Sequence, residues 1–405
     1  MPDPRSRSIP RAFLDEIGRP GADDSATHSA VAGLLVLRLV ERWVTGGCRA
    51  PVDVAGARAA VEAMDTGNPA RGMLGEVLSA IARGGPEEIG GAFGQLMAYA
   101  RVLEYAAQWP LALAVYETVI ANGGPPTPND AVVLALIRQA FCLRMQGRFD
   151  EALTLCKYAR RLAIKAGDLE GELRAELGVA MGMMAQGHLI EADAKLRAIL
   201  RRAPRDSRVS IRSMVLNGRA AVAGMRGDTV SVIRLEYAAL RENPIPSERD
   251  RILHNIGEAF RRLGVRAVAR DAFLVLSCTA EEQYMRWFGE IQLMLIAAQD
   301  GEAAVFEEHR SALDSAALPP QLRLEFLGQL AASHRLLGEP EIAASLLLEA
   351  VQLAQRHGFE FGELGTEPGS LDPCENAGAM GLLPPRIARI ADAIRALRES
   401  TGAGA

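Results

Sequence analysis

Gly147-Arg148-Phe149-Asp150-Glu151-Ala152 is followed forty residues later by Gly187-His188-Leu189-Ile190-Glu191-Ala192, and the reading of this recurrence decides the fold. In each copy a turn glycine leads into a helix. An apolar helix with a small residue, Ala140 or Ala180, precedes the glycine, and twelve residues beyond that small residue stands the alanine of the second helix, Ala152 or Ala192. The unit is therefore a helix, a turn and a second helix, in tandem.

Working outward at this period, the turn positions are Ala107, Gly147, Gly187, Gly227, Gly264, Gly301 and Gly338, spaced first by 40 and then by 37 residues. Self-similarity at such a period marks a stacked helical array. The small first-helix positions are Ala100, Ala140, Ala180, Ala220, Gly257, Met294 and Ala331. Their second-helix partners are Ala112, Ala152, Ala192, Val232, Ala269, Phe306 and Ala343. Antiparallel helices approach closely where side chains are small, while Phe149, Leu189 and Phe273 fill the spaces between units. The large pair Met294 and Phe306 implies wider spacing or rotation in the sixth unit. Each pair leaves an apolar face for the next to cover, so the ends need caps.

This array resembles tetratricopeptide repeats, with Gly147-Arg148-Phe149-Asp150-Glu151-Ala152-Leu153 nearest that family's turn signature. Its longer period resembles the extended bacterial variant of regulators and scaffolds. The resemblance implies an all-α fold: a right-handed α-α superhelix, a TPR-like solenoid, with an N-terminal helical subdomain and a C-terminal capping helix. We divide the chain into a flexible tail (1–25), with one turn of helix at Ala12–Ile17, an N-terminal helical subdomain (26–90) and seven repeats (91–358). An acidic Gly/Pro-rich loop (359–385) and an amphipathic helix (386–400) follow. That last helix carries the stripe Ile387, Ile390, Ile394 and Leu397. Two placements are open for the C-terminal segment: capping the last repeat, or folding back so that Glu363 or Glu367 meets Arg261 and Arg262.

With 49% hydrophobic and 23% charged residues, the chain has the balance of a core-forming protein. A net charge of −5 gives no overall basic footprint for nucleic acid. Residues 1–90 carry ten arginines against twelve acids, which argues against a DNA-reading element there. The five cysteines are scattered, so neither a zinc site nor a disulfide framework is indicated, and a reducing cytoplasm is expected. No signal peptide or membrane anchor is read, since the apolar stretch Ala30–Val44 is interrupted by Arg38, Glu41 and Arg42.

Among chemical motifs we find no P-loop, nucleophile elbow or HExxH. His254 and Glu258 stand four apart on one helix face, but without a third ligand they read as a surface or groove contact. No cofactor or metal is expected. The resemblance implies instead a binding groove lined by first helices, at positions three before and one, four and five after each small residue. These include Ile137, Phe141, Arg144 and Met145, then Leu177, Met181 and Met184, then Asn217, Ala221 and Met225. A methionine-rich groove suits a helix or extended peptide with apolar anchors. The same residues also read as plain core. Arg251, His254, Arg261 and Arg262 in the fifth unit form a candidate cluster for an acidic segment. The Asn and Lys of the tetratricopeptide carboxylate clamp are replaced by Ile137, Phe141, Leu177 and Met181.

The expected function is therefore a non-enzymatic scaffold or adaptor that binds a protein or peptide. The alternative is the repeat module of a signalling or transcription-control system, with residues 26–90 as effector segment. An enzyme with a groove site ranks last.

Overall fold

The computed structural model describes residues 10–19, 24–48, 52–123, 129–205, 211–357 and 383–403, and every regular element among them is helical. The chain forms two compact units, Met1–Lys195 and Leu196–Ala405.

In the first unit, α1 (Arg11–Ile17), α2 (Asp24–Thr45), α3 (Ala55–Glu62) and α4 (Pro69–Arg83) precede the repeats. The first repeat pair is α5 (Ile89–Tyr105) with α6 (Trp109–Asn122) and the second is α7 (Asn129–Met145) with α8 (Phe149–Ala166). The third pairs α9 (Leu169–Ala185) with α10 (Leu189–Arg202), in which the first unit ends. The second unit continues with α11 (Ile211–Met225) and α12 (Thr229–Leu240), then α13 (Pro246–Arg262) and α14 (Arg266–Thr279). Next come α15 (Gln283–Asp300) with α16 (Ala303–Ser315) and α17 (Pro320–Leu336) with α18 (Pro340–His357), before α19 (Pro385–Thr401).

The turn positions explain this punctuation. Ala107 (φ 53°) and the six turn glycines (φ 72° to 82°) all adopt the left-handed conformation, one between the helices of every pair. A residue without a Cβ enters that region at little cost, so glycine holds six of the seven places. Asp228, next to Gly227, starts α12 by accepting a hydrogen bond from the Ser231 N–H at 2.9 Å.

Packing follows the small-residue register. Ala100, Ala112, Ala140, Ala180, Ala192 and Ala269 are at most 3% exposed. A Cβ on Gly257 would stand 2.6 Å from the Phe273 ring, so the absence of that one carbon lets α13 close on α14. Phe273 itself is fully buried, which contributes about 1.5–3 kcal/mol.

The N-terminal helices share one core with the first repeats. Phe13, Trp43, Leu74, Phe93 and Tyr116 belong to a single buried cluster reaching Val179. The flexible-tail expectation is corrected for residues 10–19: Phe13 is fully buried, and α1 packs on α2 and α6. Gly33 makes the room, since a Cβ there would meet both the Phe13 ring and the Tyr99 hydroxyl at 2.5 Å. Ala12 and Ile17 of α1 pack against the same core beside Phe13.

The C-terminal helix departs from the expected position on the last pair. It lies against α14 and α12, with Ile387, Ile390 and Ile394 buried in their core. Arg398 donates to the Asp271 carboxylate of α14 at 3.0 Å. The apolar stripe thus covers second helices rather than a groove between first helices. The acidic segment 358–382 lies outside the described residues.

Candidate binding surface

In the first unit, α7 and α9 pack together, and Ile137, Phe141, Arg144, Met145, Met181 and Met184 are all partly exposed along them. Leu177 is different: at 8% exposure it belongs to the core. The candidate lining on these two helices is thus partly exposed, with Ile137 and Phe141 also packed against the core.

At its centre stands Phe141. The Trp109 ring meets it edge-on, with centroids 5.9 Å apart. Two guanidinium groups approach the same ring, Arg138 at 4.5 Å and Arg144 at 5.2 Å from its centroid. Such contacts are worth about 0.5–1 kcal/mol at exposed sites and more where water is excluded.

The two arginines differ in their counter-charges. Arg138 is tied to Glu104, whose carboxylate accepts from Arg138 Nε at 3.1 Å and from a second guanidinium nitrogen. Glu104 is 5% exposed and also accepts from the Tyr116 hydroxyl at 2.7 Å, so this anion is fully engaged. Arg144 has no ion pair among the described residues, and burial lowers its pKa while the neighbouring Arg138 adds to the effect. A guanidinium keeps its charge even so. Arg144 is therefore a partly buried cation beside an aromatic ring, with no anion among the described residues. Glu104, Arg138 and Trp109 were not among the sequence candidates. The 34 residues separating Glu104 from Arg138 match neither repeat period, so no sequence signal joined them.

The second unit places its candidates otherwise. Met225 is 55% exposed at the end of α11. Arg251 pairs with Glu248 one turn away. Glu258 accepts from Arg261 at 3.0 Å and pairs with Arg262 at 3.9 Å, so the cluster read as open to an acidic ligand carries carboxylates of its own helix. Burial opposes ionisation of Glu258, but Arg261 prevails and holds its pKa below the ordinary value. His254 sits between rings, 5.1 Å from Phe288 and 6.0 Å from Phe273 by centroid. Burial lowers its pKa, which favours the neutral imidazole. No cluster of three or more metal-ligating side chains occurs among the described residues.

No family model matches the sequence, and no curated protein matches it. Solved structures do match. The Rap conjugation gene regulator of plasmid pLS20, in complex with the Phr* peptide, aligns over 80% of this chain and 95% of its own at 10% identity, with a TM-score of 0.51. The chain is built of tetratricopeptide-type repeats. Two further structures give lower TM-scores. The Rap protein complexed with competence and sporulation factor scores 0.49 at 12% identity, over 80% of this chain and 98% of that one. The apo quorum sensor NprR from B. thuringiensis scores 0.48 at 11% identity, over 84% and 91%. At such identities the likeness is one of fold. Among the described residues of the tetratricopeptide-type chain, no helix is long and apolar enough to cross a membrane.

Proposed function

We propose that this chain is a non-enzymatic binding module, a scaffold or adaptor, whose first unit holds a peptide on α7 and α9. The observation that carries this reading is Arg144, a partly buried cation 5.2 Å from the centroid of the Phe141 ring with no ion pair among the described residues. A ligand carboxylate beside an apolar side chain would satisfy both groups: the carboxylate takes charge-assisted hydrogen bonds from Arg144, and the apolar anchor covers Phe141 and the methionines. Recognition of a peptide by the same fold in the pLS20 regulator supports the class of ligand. The test is selection of a random peptide display library on the intact chain. Enriched peptides should pair an acidic group with an apolar neighbour and lose affinity for Arg144→Met. Peptides that bind Arg144→Met and Phe141→Ala unchanged would overturn the proposal.

A further inference from the structure

The second helices of three consecutive units carry cations in one register. Counting from the second-helix small residue, the ninth position is Arg161, Arg201 and Arg241, each forty residues from the last. The fifth position is Lys157 and Arg197, and the thirteenth is Lys165 and Arg205. All seven side chains are exposed. Positions four apart share a helix face, so Lys157, Arg161 and Lys165 form a row on α8 about 12 Å long. On α10, Arg197 and Arg201 repeat its first two positions, while Arg205 follows Pro204 beyond the helix and Arg241 stands just past the end of α12. The recurrence is one of sequence register, and the row of three on one helix is that of α8.

Three observations separate these rows from an ordinary solvated face. No acid lies between Ala152 and Ala166 or between Ala194 and Arg205, and the one acid of α12, Glu236, is 1% exposed. Lys157, Arg161, Lys165, Arg201, Arg205 and Arg241 form no ion pair among the described residues. The contrast lies one unit on: Arg266 and Arg270 of α14 are matched by Asp300 and Glu302. The third observation concerns what accompanies the charges. The one aromatic beside the α8 row, Tyr158, is partly buried and lies under the Arg161 guanidinium at 5.8 Å.

We infer that the α8 row, Lys157, Arg161 and Lys165, binds the phosphate backbone of a nucleic-acid duplex without reading sequence. Lys157, Arg161 and Lys165, which form no ion pair among the described residues, stand in register to neutralise phosphates. A single-strand platform would present exposed aromatic rings to unstacked bases, and these rows present none. They also carry no Asn or Gln for reading base edges. The whole-chain charge of −5 averages over these rows and conceals them.

The experiment is fluorescence anisotropy of the full chain with short labelled DNA and RNA duplexes, alongside co-sedimentation with vesicles of phosphatidylglycerol and phosphatidylcholine. Duplex binding should weaken with salt at a log–log slope of about −0.9 per phosphate contacted, roughly −3 for one row of three. The triple variant K157E/R161E/K165E, shown folded by circular dichroism, should lose at least ~10-fold in affinity, while Arg58→Glu in α3 leaves it unchanged. No duplex binding at low salt, an equal loss in Arg58→Glu, or binding to vesicles but not to duplexes would overturn the inference.

Discussion

The Arg144 guanidinium lies 5.2 Å from the centroid of the Phe141 ring, and no carboxylate among the described residues pairs with it. On the same ring, Arg138 is held by a buried Glu104. The Phe141 ring thus meets one arginine in a completed ion pair and one without a counter-charge among the described residues. The first fixes geometry, and the second leaves charge for a ligand.

The turn register makes a prediction at its one exception. Ala107 adopts φ 53° where the other six turns use glycine. A left-handed L residue costs roughly 1–2 kcal/mol, part of which glycine gives back as chain entropy on unfolding. Ala107→Gly is expected to raise stability by up to ~1 kcal/mol, read as a higher urea midpoint. An unchanged or lower midpoint would show that the turn conformation does not limit stability there.

Gly257 tests the packing of the fifth unit. A Cβ would stand 2.6 Å from two carbons of the Phe273 ring. Gly257→Ala should cost about 1–3 kcal/mol through overpacking, and adding Phe273→Leu should recover part of it. Chemical denaturation of the two single variants and the double variant checks this coupling; strict additivity would count against the contact.

Much of this architecture was legible because turn glycines and small residues repeat at fixed intervals, a pattern in sequence alone. Even Ala107 was placed as a turn by period rather than by residue type. Contacts without periodicity were not legible. The Ile387, Ile390 and Ile394 stripe announced that the last helix must dock, yet nothing in it specified α12 and α14 over the final pair. A turn of helix at Ala12–Ile17 was legible, but nothing in that polar, proline-rich stretch assigned Phe13 to the core. At the candidate surface, Phe141 and Arg144 were named as candidates from their offsets in the repeat. The asymmetry that distinguishes Arg144 from Arg138 depends on Glu104, which only the fold brings near.

The docked C-terminal helix predicts the effect of undocking it. Ile390 is 6% exposed in the core shared with α12 and α14. Ile390→Asp places a charge in that core and should destabilise the second unit by several kcal/mol, at least ~2. Binding of an apolar-surface dye should rise with it. Normal stability with no dye binding would mean that the helix is not held by its isoleucine stripe.

Glu236 sets a pH dependence. Burial pushes its pKa up to about 8, against the partial relief of a hydrogen bond from Asn255 at 2.8 Å. Its second oxygen, Oε2, is buried with no partner, as suits a protonated acid. An unfolded glutamate titrates near ~4.3, so between that value and about 8 the folded chain holds a proton that the unfolded chain has released. The contribution is fully present below ~4.3 and is lost as pH rises through about 8. Melting curves from pH 5 to 9 should show wild type losing stability relative to Glu236→Gln as pH rises. A constant difference would contradict the buried neutral acid.

The most direct measurement of the central claim is a double-mutant cycle on a selected peptide. Isothermal titration would compare the peptide and its Asp→Asn or Glu→Gln form, or its C-terminal amide, on wild type and on Arg144→Met. A carboxylate held by Arg144 predicts a coupling energy of about 1.5–3 kcal/mol, with the neutral peptide binding both proteins alike. A coupling near zero, with the acidic peptide still bound tightly by Arg144→Met, would contradict it.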